Sequence, residues 1–287
     1  MRDHFIGIGG IGLSALARFL NFDGHSVSGS DMKSSSITKE LEKEGIKVSC
    51  PQEAKNISDD LDLVIYSAAV TDENPELIEA RLKQIRTLSR KEALPIILGD
   101  KKNYCVAGAH GKSTTTAILA TILQSSALIG AISKEFGSNF RYVDKTVAFE
   151  ADESDASFLL SNPYCAIVTN AEPEHMEYYH YDYDKFYESY ETFLSLAKKR
   201  VVNGEDKDIQ KLKIEDATYL YPSKDIKNLC YTLKDGQPCT KFDLKDYGTF
   251  EVWGFGFHIA SNASLAIMAA LNELDIETIR KNLLNYK

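Results

Sequence analysis

The sequence lacks a disulfide pattern, a long apolar run and a secretory signal. Its five cysteines are an odd, scattered set with no C-x-x-C pair, which excludes a disulfide framework or a zinc ribbon and favours reduced thiols. No apolar stretch approaches the roughly 18 residues of a membrane helix, and the first residues resemble a strand, not a leader. We therefore expect a cytoplasmic protein without a membrane partner.

A run of basic residues is also missing. The net charge is −9, whereas a protein that binds DNA or RNA needs a basic face, so nucleic acid is excluded as the main partner. Anionic ligands must then be held by local groups such as glycine loops and single lysines or arginines. The length of 287 residues, with 44% hydrophobic and 26% charged residues, predicts about two globular domains.

Strand-like and helical segments alternate through the first hundred residues. This pattern is typical of an α/β fold with a parallel sheet, and it predicts a Rossmann-like domain over residues 1–100. The expected strands are residues 4–8, 27–29, 46–48 and 63–66, and the expected helices are residues 11–22, 37–44 and 75–82.

A second α/β series follows the polar residues 100–103 and predicts a central domain of the P-loop ATPase type over residues 101–287. Between about 217 and 257, short strands with turn residues indicate a small antiparallel addition. The expected strands are residues 104–107, 146–149 and 165–169, and the expected helices are residues 116–123, 185–197, 262–271 and 276–284.

The most informative motif is a glycine-bearing loop between a strand and a helix in the central domain. It reads Gly108-Ala109-His110-Gly111-Lys112-Ser113-Thr114. Backbone N–H groups of such a loop, the helix N-terminus and a lysine together bind phosphate, and the following hydroxyl ligates Mg²⁺. Val106 stands where the common P-loop has a glycine, so the loop is shorter than usual. We predict a nucleotide-phosphate site here; the alternative is an ordinary strand–turn–helix.

A second glycine motif opens the chain. Gly7-Ile8-Gly9-Gly10-Ile11-Gly12 has the G-x-G-x-x-G spacing between a strand and a helix, and Asp31 ends the next strand, where an acid contacts a ribose. Ser14, in the first helical turn, could add a hydroxyl. The motif predicts a nucleotide or dinucleotide site, and alone it favours a nicotinamide-dependent oxidoreductase. A structural tight turn is the alternative.

An acidic run follows the strand at residues 146–149. It reads Glu150-Ala151-Asp152-Glu153-Ser154-Asp155, and its carboxylates are expected to converge at the sheet edge where α/β proteins bind ligands. Such oxygen ligands suit Mg²⁺, and we choose Glu150 as the metal-facing carboxylate. A solvated turn that caps a helix is the alternative.

Two further histidines lie at expected ligand positions. His175 follows the strand at 165–169 and could bind a second Mg²⁺ or contact the transferring phosphate. His258 and Asn262 are four residues apart near a helix start and could meet a ribose or an adenine; capping by Ser261 or Asn262 is the alternative.

Taken together, these motifs resemble the Mur ligase family. The resemblance rests on the segment from His4 to Ser14, the loop from Gly108 to Thr116, the acidic run from Glu150 to Phe158, and the segment from Thr169 to His175. They occur in the family's order and spacing along essentially the whole chain. Family members carry a third, C-terminal domain that binds the amino acid, and we expect it to be absent here.

The resemblance implies a role for each motif. Lys112 and the loop Gly108, Ala109, His110, Gly111 and Thr114 would hold the phosphates of ATP, and His258 and Asn262 the adenosine. Ser113, Glu150 and His175 would bind Mg²⁺, with Lys112, Glu150 and His175 as the catalytic residues. The N-terminal domain would bind a UDP-sugar through Gly9, Gly10, Gly12, Ser14, Asp31 and Ser67.

The implied reaction is the ATP-dependent ligation of L-alanine to UDP-N-acetylmuramate through an acyl phosphate, a step of peptidoglycan precursor synthesis. Ligation of a recycled tripeptide to the same UDP-sugar is the first alternative. The nicotinamide-dependent oxidoreductase and a nucleotide-binding module without turnover remain as others.

Overall fold

The chain folds into two units, Met1–Gly99 and Asp100–Lys287. The structure is a computed structural model that describes residues 1–133, 136–143 and 145–287. Each unit has a sheet of parallel strands at its centre, and the second also carries a small antiparallel sheet. This arrangement confirms the predicted α/β class, including the antiparallel addition.

The sheet of the first unit has five parallel strands in the order β3-β2-β1-β4-β5. The strands are β1 (Arg2–Ile6), β2 (Ser26–Ser30), β3 (Lys47–Ser49), β4 (Leu63–Tyr66) and β5 (Arg86–Ser89). Ile6 and Val64 are fully buried and pack with Leu77 and Ala80 of a neighbouring helix. Because β1 lies between β2 and β4, the strand order reverses beside β1, where parallel sheets bind ligands at the carboxyl ends of their strands.

The helices of the first unit are α1 (Ile11–Phe22), α2 (Ser36–Lys43), α3 (Pro75–Leu82) and α4 (Arg90–Leu98). Three of them, α2, α3 and α4, begin at a residue whose side chain caps the helix. Asn74 caps α3, which has proline at its start, and Ser89 and Glu92 form a capping box at α4. Strand β5 and helix α4 were not predicted, because β5 is short and mixed in polarity and α4 contains Pro95.

The main sheet of the second unit has the order β12-β11-β10-β6-β9-β7-β8. Its strands are parallel except for β8, which is antiparallel to β7. The strands are β6 (Lys102–Ala107), β7 (Ser126–Ser133), β8 (Ser138–Arg141), β9 (Thr146–Glu150), β10 (Pro163–Val168), β11 (Lys199–Asn203) and β12 (Thr218–Leu220). Since β6 lies between β9 and β10, the loop after β6 is flanked by the residues that follow those two strands.

The antiparallel sheet and the helices complete the second unit. The sheet contains β13 (Ile226–Lys234), β14 (Gln237–Leu244) and β15 (Thr249–Trp253), and the helices are α5 (Lys112–Leu123), α6 (Tyr183–Leu196), α7 (Pro222–Asp225), α8 (Phe257–Ala270) and α9 (Ile276–Leu283). Ile118 of α5, Ala266 of α8 and Phe242 of β14 are fully buried in one apolar cluster. Helix α5, which begins at the glycine-bearing loop, is therefore anchored in the core of this unit.

Two expected helix starts are wrong. The helix expected at residue 116 begins at Lys112, and the one expected at residue 262 begins at Phe257. In both cases a glycine with positive φ, Gly111 or Gly256, precedes the first helical residue. Among the helices that the structure describes, none is both long and apolar enough to cross a membrane.

Candidate functional site

The loop between β6 and α5 requires glycine at two positions. Gly108 has a φ of +135° and Gly111 a φ of +86°, values that L-residues rarely adopt. A Cβ atom on Gly108 would overlap Thr169 and lie 2.8 Å from the carbonyl oxygen of Asn170, and one on Gly111 would lie 2.7 Å from Asn262 Oδ1. Helix α5 begins after Gly111, which has no side chain to cap it, and the first N–H groups of such a helix favour an anion.

Residues after β10 hold this loop in place. The Thr169 hydroxyl donates a hydrogen bond of 2.6 Å to the carbonyl oxygen of His110. Asn170 Nδ2 donates to the same oxygen at 2.7 Å, and the N–H of His110 donates to Asn170 Oδ1 at 3.1 Å. The sequence analysis gave Thr169 and Asn170 no separate role, because contacts over about sixty residues leave no local signal.

Ser113 and Glu150 meet on the other side of the loop. The Ser113 hydroxyl donates to Glu150 Oε1 at 3.0 Å. The second carboxylate oxygen accepts a hydrogen bond of 2.8 Å from the N–H of Gly130, and a Cβ on Gly130 would come within 3.1 Å of the carboxylate. The backbone of β7 thus fixes the orientation of Glu150 towards the start of α5.

The donor atoms of this pair fit a magnesium ion. A hydroxyl and a carboxylate are hard oxygen ligands, and Mg²⁺ is commonly held by one or two such groups together with phosphate and water oxygens. No cluster of three His, Cys, Asp or Glu side chains suited to a metal occurs within residues 1–133, 136–143 and 145–287. The pair therefore fits an ion that arrives with a nucleotide and not one held by protein ligands alone.

The acidic run after β9 does not form a single cluster, so the expected convergence of its carboxylates is wrong. Asp152 Oδ1 accepts a hydrogen bond from the N–H of Ser154 at 3.0 Å, and Asp155 Oδ1 accepts one from the N–H of Ser157 at 2.9 Å. These two aspartates stabilise the turn after the strand. For them, the alternative interpretation of the run as a turn holds. Glu150 faces Ser113, whereas the fourth carboxylate, Glu153, has a different partner.

Glu153 binds the ammonium group of Lys112. Lys112 Nζ lies 2.7 Å from Glu153 Oε1 and 2.8 Å from Oε2. The Glu153 side chain is 2% exposed and that of Lys112 is 16% exposed. Burial raises the pKa of Glu153 and exceeds the lowering effect of Lys112. The loop lysine is therefore held by a buried carboxylate that the sequence analysis left without a role.

His175 is exposed and has a φ of +52°. Within the described parts of the chain, its imidazole forms no hydrogen bond or ion pair. The neighbouring acids instead face the loop between β6 and α5, because His110 Nε2 lies 3.5 Å from Glu174 Oε1 and 3.7 Å from Glu172 Oε2. The segment around His175 thus lies beside the loop, and metal binding by His175 stays a prediction.

A cavity of about 770 Å³ opens beside the loop. His110, Gly111 and Thr114 line one side of it, and His258 and Asn262 line another. The last two residues are one helical turn apart and therefore share a face of α8.

Gly256 is the residue before α8, and the Ser261 hydroxyl donates to the carbonyl oxygen of Phe257 at 3.0 Å. Capping by Ser261 or Asn262 is thus excluded.

The same cavity has polar residues that the sequence analysis missed. Asn203, Asp206 and Lys207 line it and follow β11. Asn203 Nδ2 donates to the carbonyl oxygen of Thr169 at 3.1 Å, and Asp206 Oδ1 accepts from the N–H of Ala171 at 3.1 Å. The signal was available, since these residues follow a strand whose carboxyl end lies at the same sheet edge as the phosphate loop.

The glycine loop of the first unit joins β1 to α1. The N–H of Gly9 donates to Asp31 Oδ2 at 2.8 Å, and a Cβ on Gly9 would lie 2.8 Å from the same oxygen. Gly7 has a φ of +83°, and its missing Cβ would lie 2.8 Å from the hydroxyl of Ser67. Gly10 precedes α1 without a side-chain cap. The structure thus brings Asp31 and Ser67 to the loop, and their binding of a UDP-sugar stays a prediction.

Arg90 also reaches this loop and was missed. Its Nε would lie 3.1 Å from a Cβ atom on Gly12, and this buried nitrogen has no hydrogen-bond partner among the residues that the structure describes. A buried guanidinium N–H without an acceptor beside a helix N-terminus fits an anionic ligand. No local pattern predicts it, because Arg90 belongs to α4, which the sequence analysis did not identify.

Ser14 lies in the first turn of α1. Its side chain is fully buried, and its hydroxyl donates to the carbonyl oxygen of Ile11 at 2.9 Å. The hydroxyl thus contacts the backbone of its own helix, and its contribution to an anion site stays a prediction. Gly12 is the second residue of α1 and lies close to the Arg90 guanidinium.

The fold, with a sheet of mostly parallel strands in each unit and a glycine loop between a strand and a helix in both, defines an α/β protein. Residues 3–102 match the model of the Mur ligase family, catalytic domain, and residues 106–270 match the model of the Mur ligase middle domain. The chain belongs to the Mur ligase family. This result confirms the resemblance inferred from the motifs.

The similar curated proteins include several named UDP-N-acetylmuramate–L-alanine ligase. The one from Campylobacter curvus is 58% identical over 99% of this chain and 65% of its own length. The one from Campylobacter jejuni serotype O:6 is 59% identical over 99% of this chain and 66% of its own length. This chain spans about two thirds of the length of these relatives.

Solved structures give the same fold. The UDP-N-acetylmuramate–alanine ligase of Thermotoga maritima matches with a TM-score of 0.83 at 28% identity, over 99% of this chain and 68% of that one. A UDP-N-acetylmuramate:L-alanyl-γ-D-glutamyl-meso-diaminopimelate ligase from Neisseria matches with a TM-score of 0.82 at 24% identity, over 100% of this chain and 98% of that one.

Proposed function

We propose that this chain is the UDP-sugar-binding and ATP-binding part of a cytoplasmic ligase that joins L-alanine to UDP-N-acetylmuramate. The first unit, Met1–Gly99, would bind the UDP-sugar, and the second, Asp100–Lys287, would bind ATP. The amino-acid-binding domain of the complete enzyme would lie outside this chain. The product would enter peptidoglycan synthesis and so support cell-wall biogenesis, cell shape and division.

The observation that carries this proposal is the arrangement around the loop after β6. Helix α5 begins without a capping side chain on its N-cap residue, and its first two residues are Lys112, which carries the ammonium group, and Ser113, whose hydroxyl contacts Glu150. The helix N-terminus and the ammonium favour a negatively charged ligand, whereas the hydroxyl and carboxylate favour a cation such as Mg²⁺. A nucleoside triphosphate with Mg²⁺ supplies both charges. The 770 Å³ cavity next to the loop is large enough for the nucleoside.

The proposed chemistry needs charge neutralisation and no covalent nucleophile on the protein. A carboxylate oxygen of the substrate would attack the terminal phosphorus of ATP, ADP would leave, and the amine of L-alanine would displace phosphate from the acyl phosphate. Lys112 and the loop N–H groups would hold the phosphates as charge moves from the attacking oxygen to ADP. A magnesium ion held by Ser113 and Glu150 would neutralise phosphate charge. His175 would serve a second ion.

The first unit supports the UDP-sugar assignment through its anion site. The N-terminus of α1 lacks a side-chain cap, and Arg90 offers a buried N–H without an acceptor. A diphosphate would accept hydrogen bonds from both. Asp31 has one oxygen engaged by Gly9 and the other available for a sugar hydroxyl.

Sequence similarity favours L-alanine over a tripeptide as the second substrate. The curated relatives named for L-alanine are 58% and 59% identical to this chain, whereas the structure of the tripeptide ligase is 24% identical. A nicotinamide-dependent oxidoreductase is no longer a competing proposal, because it would leave the second glycine loop and the pair of Ser113 and Glu150 without a purpose.

The experiment that tests the ATP site compares the chain with its Lys112→Ala variant by calorimetric titration. We expect Mg-ATP to bind the wild-type chain and to lose at least tenfold in affinity in the variant, the effect of removing one charged hydrogen bond to phosphate. UDP-N-acetylmuramate should bind both proteins equally. Equal Mg-ATP affinity in the two proteins would refute the assignment.

A second measurement separates the ligase from a binding module without turnover. Phosphate release is followed with Mg-ATP and UDP-N-acetylmuramate, with and without L-alanine. Release that requires the UDP-sugar supports carboxylate activation by this chain. Binding of both nucleotides without release would support the binding module.

A further inference from the structure

The second unit contains a buried acid whose only described side-chain partner is the loop lysine. Both oxygens of Glu153 lie within hydrogen-bond distance of Lys112 Nζ, at 2.7 and 2.8 Å. The side chain is 2% exposed, so solvent does little to weaken the pair. Its neighbours Asp152 and Asp155 serve the local turn, and that turn does not use the Glu153 carboxylate.

The position of Glu153 is fixed from outside the acidic run. Its carbonyl oxygen accepts a hydrogen bond of 2.6 Å from the hydroxyl of Tyr179. Tyr179 is buried and packs edge-to-face on Phe186 of α6, with ring centroids 5.1 Å apart. The carboxylate is thus a rigid partner, whereas a lysine has a flexible four-carbon stem that loses much rotamer freedom when ordered.

The contacts with Glu153 do not engage every N–H group of the Lys112 ammonium. An ammonium group has three N–H donors, and the two short contacts to Glu153 occupy two of them. No other residue in the described part of the chain accepts a hydrogen bond from Lys112 Nζ. One N–H therefore remains for a ligand at the partly exposed end of the side chain.

Two roles are conceivable for such a pair, and burial decides between them. In the first, an incoming phosphate would strip Lys112 from Glu153, which would leave a buried carboxylate without its counter-ion. Breaking a buried ion pair by removing one partner is strongly unfavourable. In the second, the pair persists and the ligand takes the remaining N–H, so the ordering of the lysine precedes binding and costs no affinity.

We propose that Glu153 is the positioning residue for the phosphates of the nucleotide: it holds the Lys112 ammonium by two N–H groups and leaves the third for the β- or γ-phosphate. This inference rests on the proposed ATP site. Glu153 does not touch the phosphates itself and acts through Lys112. Its removal should weaken binding of ligands that carry those phosphates and leave binding of the nucleoside part unchanged.

The experiment measures Mg-ATP, ADP and AMP affinities of the 287-residue chain and of Glu153→Gln, which keeps the size of the side chain and removes its charge. We expect ATP and ADP to bind about tenfold more weakly and AMP to bind unchanged. Lys112→Met should have a similar effect, and the double variant should be no weaker than Lys112→Met alone. Asp155→Asn, with the same charge change in the turn, should match the wild type.

Several outcomes would overturn the proposal. Tighter ATP binding by Glu153→Gln would mean that the acid competes with phosphate. Equal weakening of all three nucleotides would mean a structural role only. Wild-type ATP affinity in Glu153→Gln, with a loss in Lys112→Met, would refute positioning while leaving the ATP site intact.

A folding control keeps the test decisive. If Glu153→Gln does not bind AMP or unfolds at a lower temperature than the wild type, Glu153→Asp replaces it. The shorter side chain keeps the charge but shifts the position of the Lys112 ammonium. Weaker ATP binding with unchanged AMP affinity in Glu153→Asp supports positioning, and wild-type ATP affinity refutes it. Failure of the wild-type chain to bind Mg-ATP would instead refute the proposed function.

Discussion

Ser113 and Glu150 are 37 residues apart in the chain, yet the hydroxyl of the first donates to the carboxylate of the second at 3.0 Å. The parallel pairing of β6 with β9 brings them together, because the phosphate loop follows one strand and Glu150 ends the other. The N–H of Gly130 then fixes the carboxylate from the adjacent strand β7. The contact between Ser113 and Glu150 thus depends on three elements and on no single motif.

Replacement of Glu150 by glutamine should remove most of the magnesium dependence of ATP binding. The amide can still accept the hydrogen bond from Gly130, but it lacks the charge that attracts the cation. We expect ATP affinity in excess Mg²⁺ to fall about tenfold and affinity in EDTA to stay unchanged, as measured by titration calorimetry. Glu177→Gln, an exposed residue with the same charge change, is the control. An unchanged magnesium effect in Glu150→Gln would contradict the site.

Gly108→Ala should destabilise the second unit and abolish ATP binding. Its φ of +135° and the 2.8 Å approach of a Cβ to the Asn170 carbonyl oxygen leave no room for a methyl group. We expect a loss of about 3 kcal/mol in the free energy of unfolding. Gly24→Ala, where φ is +90° and nothing lies within 4 Å of the added atom, should cost only about 1 kcal/mol. Urea denaturation measures both free energies of unfolding. Equal losses in Gly108→Ala and Gly24→Ala would show that contact with Thr169 and Asn170 does not destabilise the variant.

Arg90→Ala should weaken UDP-sugar binding and leave ATP binding intact. The unpartnered Nε at the start of α1 should form a charged hydrogen bond to the diphosphate, and its loss should lower affinity about tenfold or more. Arg86→Ala, which removes an exposed arginine of β5, is the matched control. Equal affinities for UDP-N-acetylmuramate in Arg90→Ala and the wild type would remove Arg90 from the site.

Glu76 should make the stability of the first unit depend on pH. Burial raises the pKa of this carboxyl, but hydrogen bonds from His4, Asn56 and Ser30 outweigh it and lower the pKa below its usual value of 4.5. A lowered pKa in the folded state stabilises the protein above pH 4.5, and this contribution is lost as the pH falls below that value. Glu76→Gln should therefore be less stable by about 2 kcal/mol at pH 7 and approach the wild type near pH 3.

Thermal unfolding between pH 3 and 7 measures this difference. Glu79→Gln provides the control, because Glu79 lies on the same helix and is 29% exposed beside Lys83. A constant gap between Glu76→Gln and the wild type over the whole pH range would contradict the assigned cause.

The cysteines should differ sharply in reactivity. Cys50 and Cys230 are exposed, whereas Cys105, Cys165 and Cys239 are buried. Burial raises the pKa of Cys105 to about 12, and a thiol reacts only as its thiolate. We expect iodoacetamide to modify two sites in the native protein, as read by mass spectrometry, and all five after denaturation. Modification of Cys105 as fast as Cys230 would contradict the burial of β6.

The sequence predicted those parts of the site that lie in one short segment. Glycine spacing identified both loops, and strand ends identified Glu150. Three contacts were not predictable: the ion pair of Lys112 with Glu153, the approach of Arg90 to Gly12, and the hydrogen bonds between Asn170 and His110. Each joins distant segments and depends on strand order, which local patterns do not determine.

Errors in the predicted elements have a similar origin. Helix α5 begins at Lys112 and α8 at Phe257, earlier than expected, because glycines with positive φ precede them and no capping side chain marks the start. Strand β7 (Ser126–Ser133) was missed because its first four residues are buried, the next three are exposed, and the pattern does not alternate. Tertiary packing, not local propensity, defines these boundaries.

The central claim is that one chain binds a UDP-sugar in its first unit and ATP in its second. The most direct test is a calorimetric titration of the wild-type chain with UDP-N-acetylmuramate, with NAD as the control ligand. The account predicts saturable binding of UDP-N-acetylmuramate at one site and no binding of NAD. Binding of NAD in the absence of UDP-N-acetylmuramate binding would contradict it.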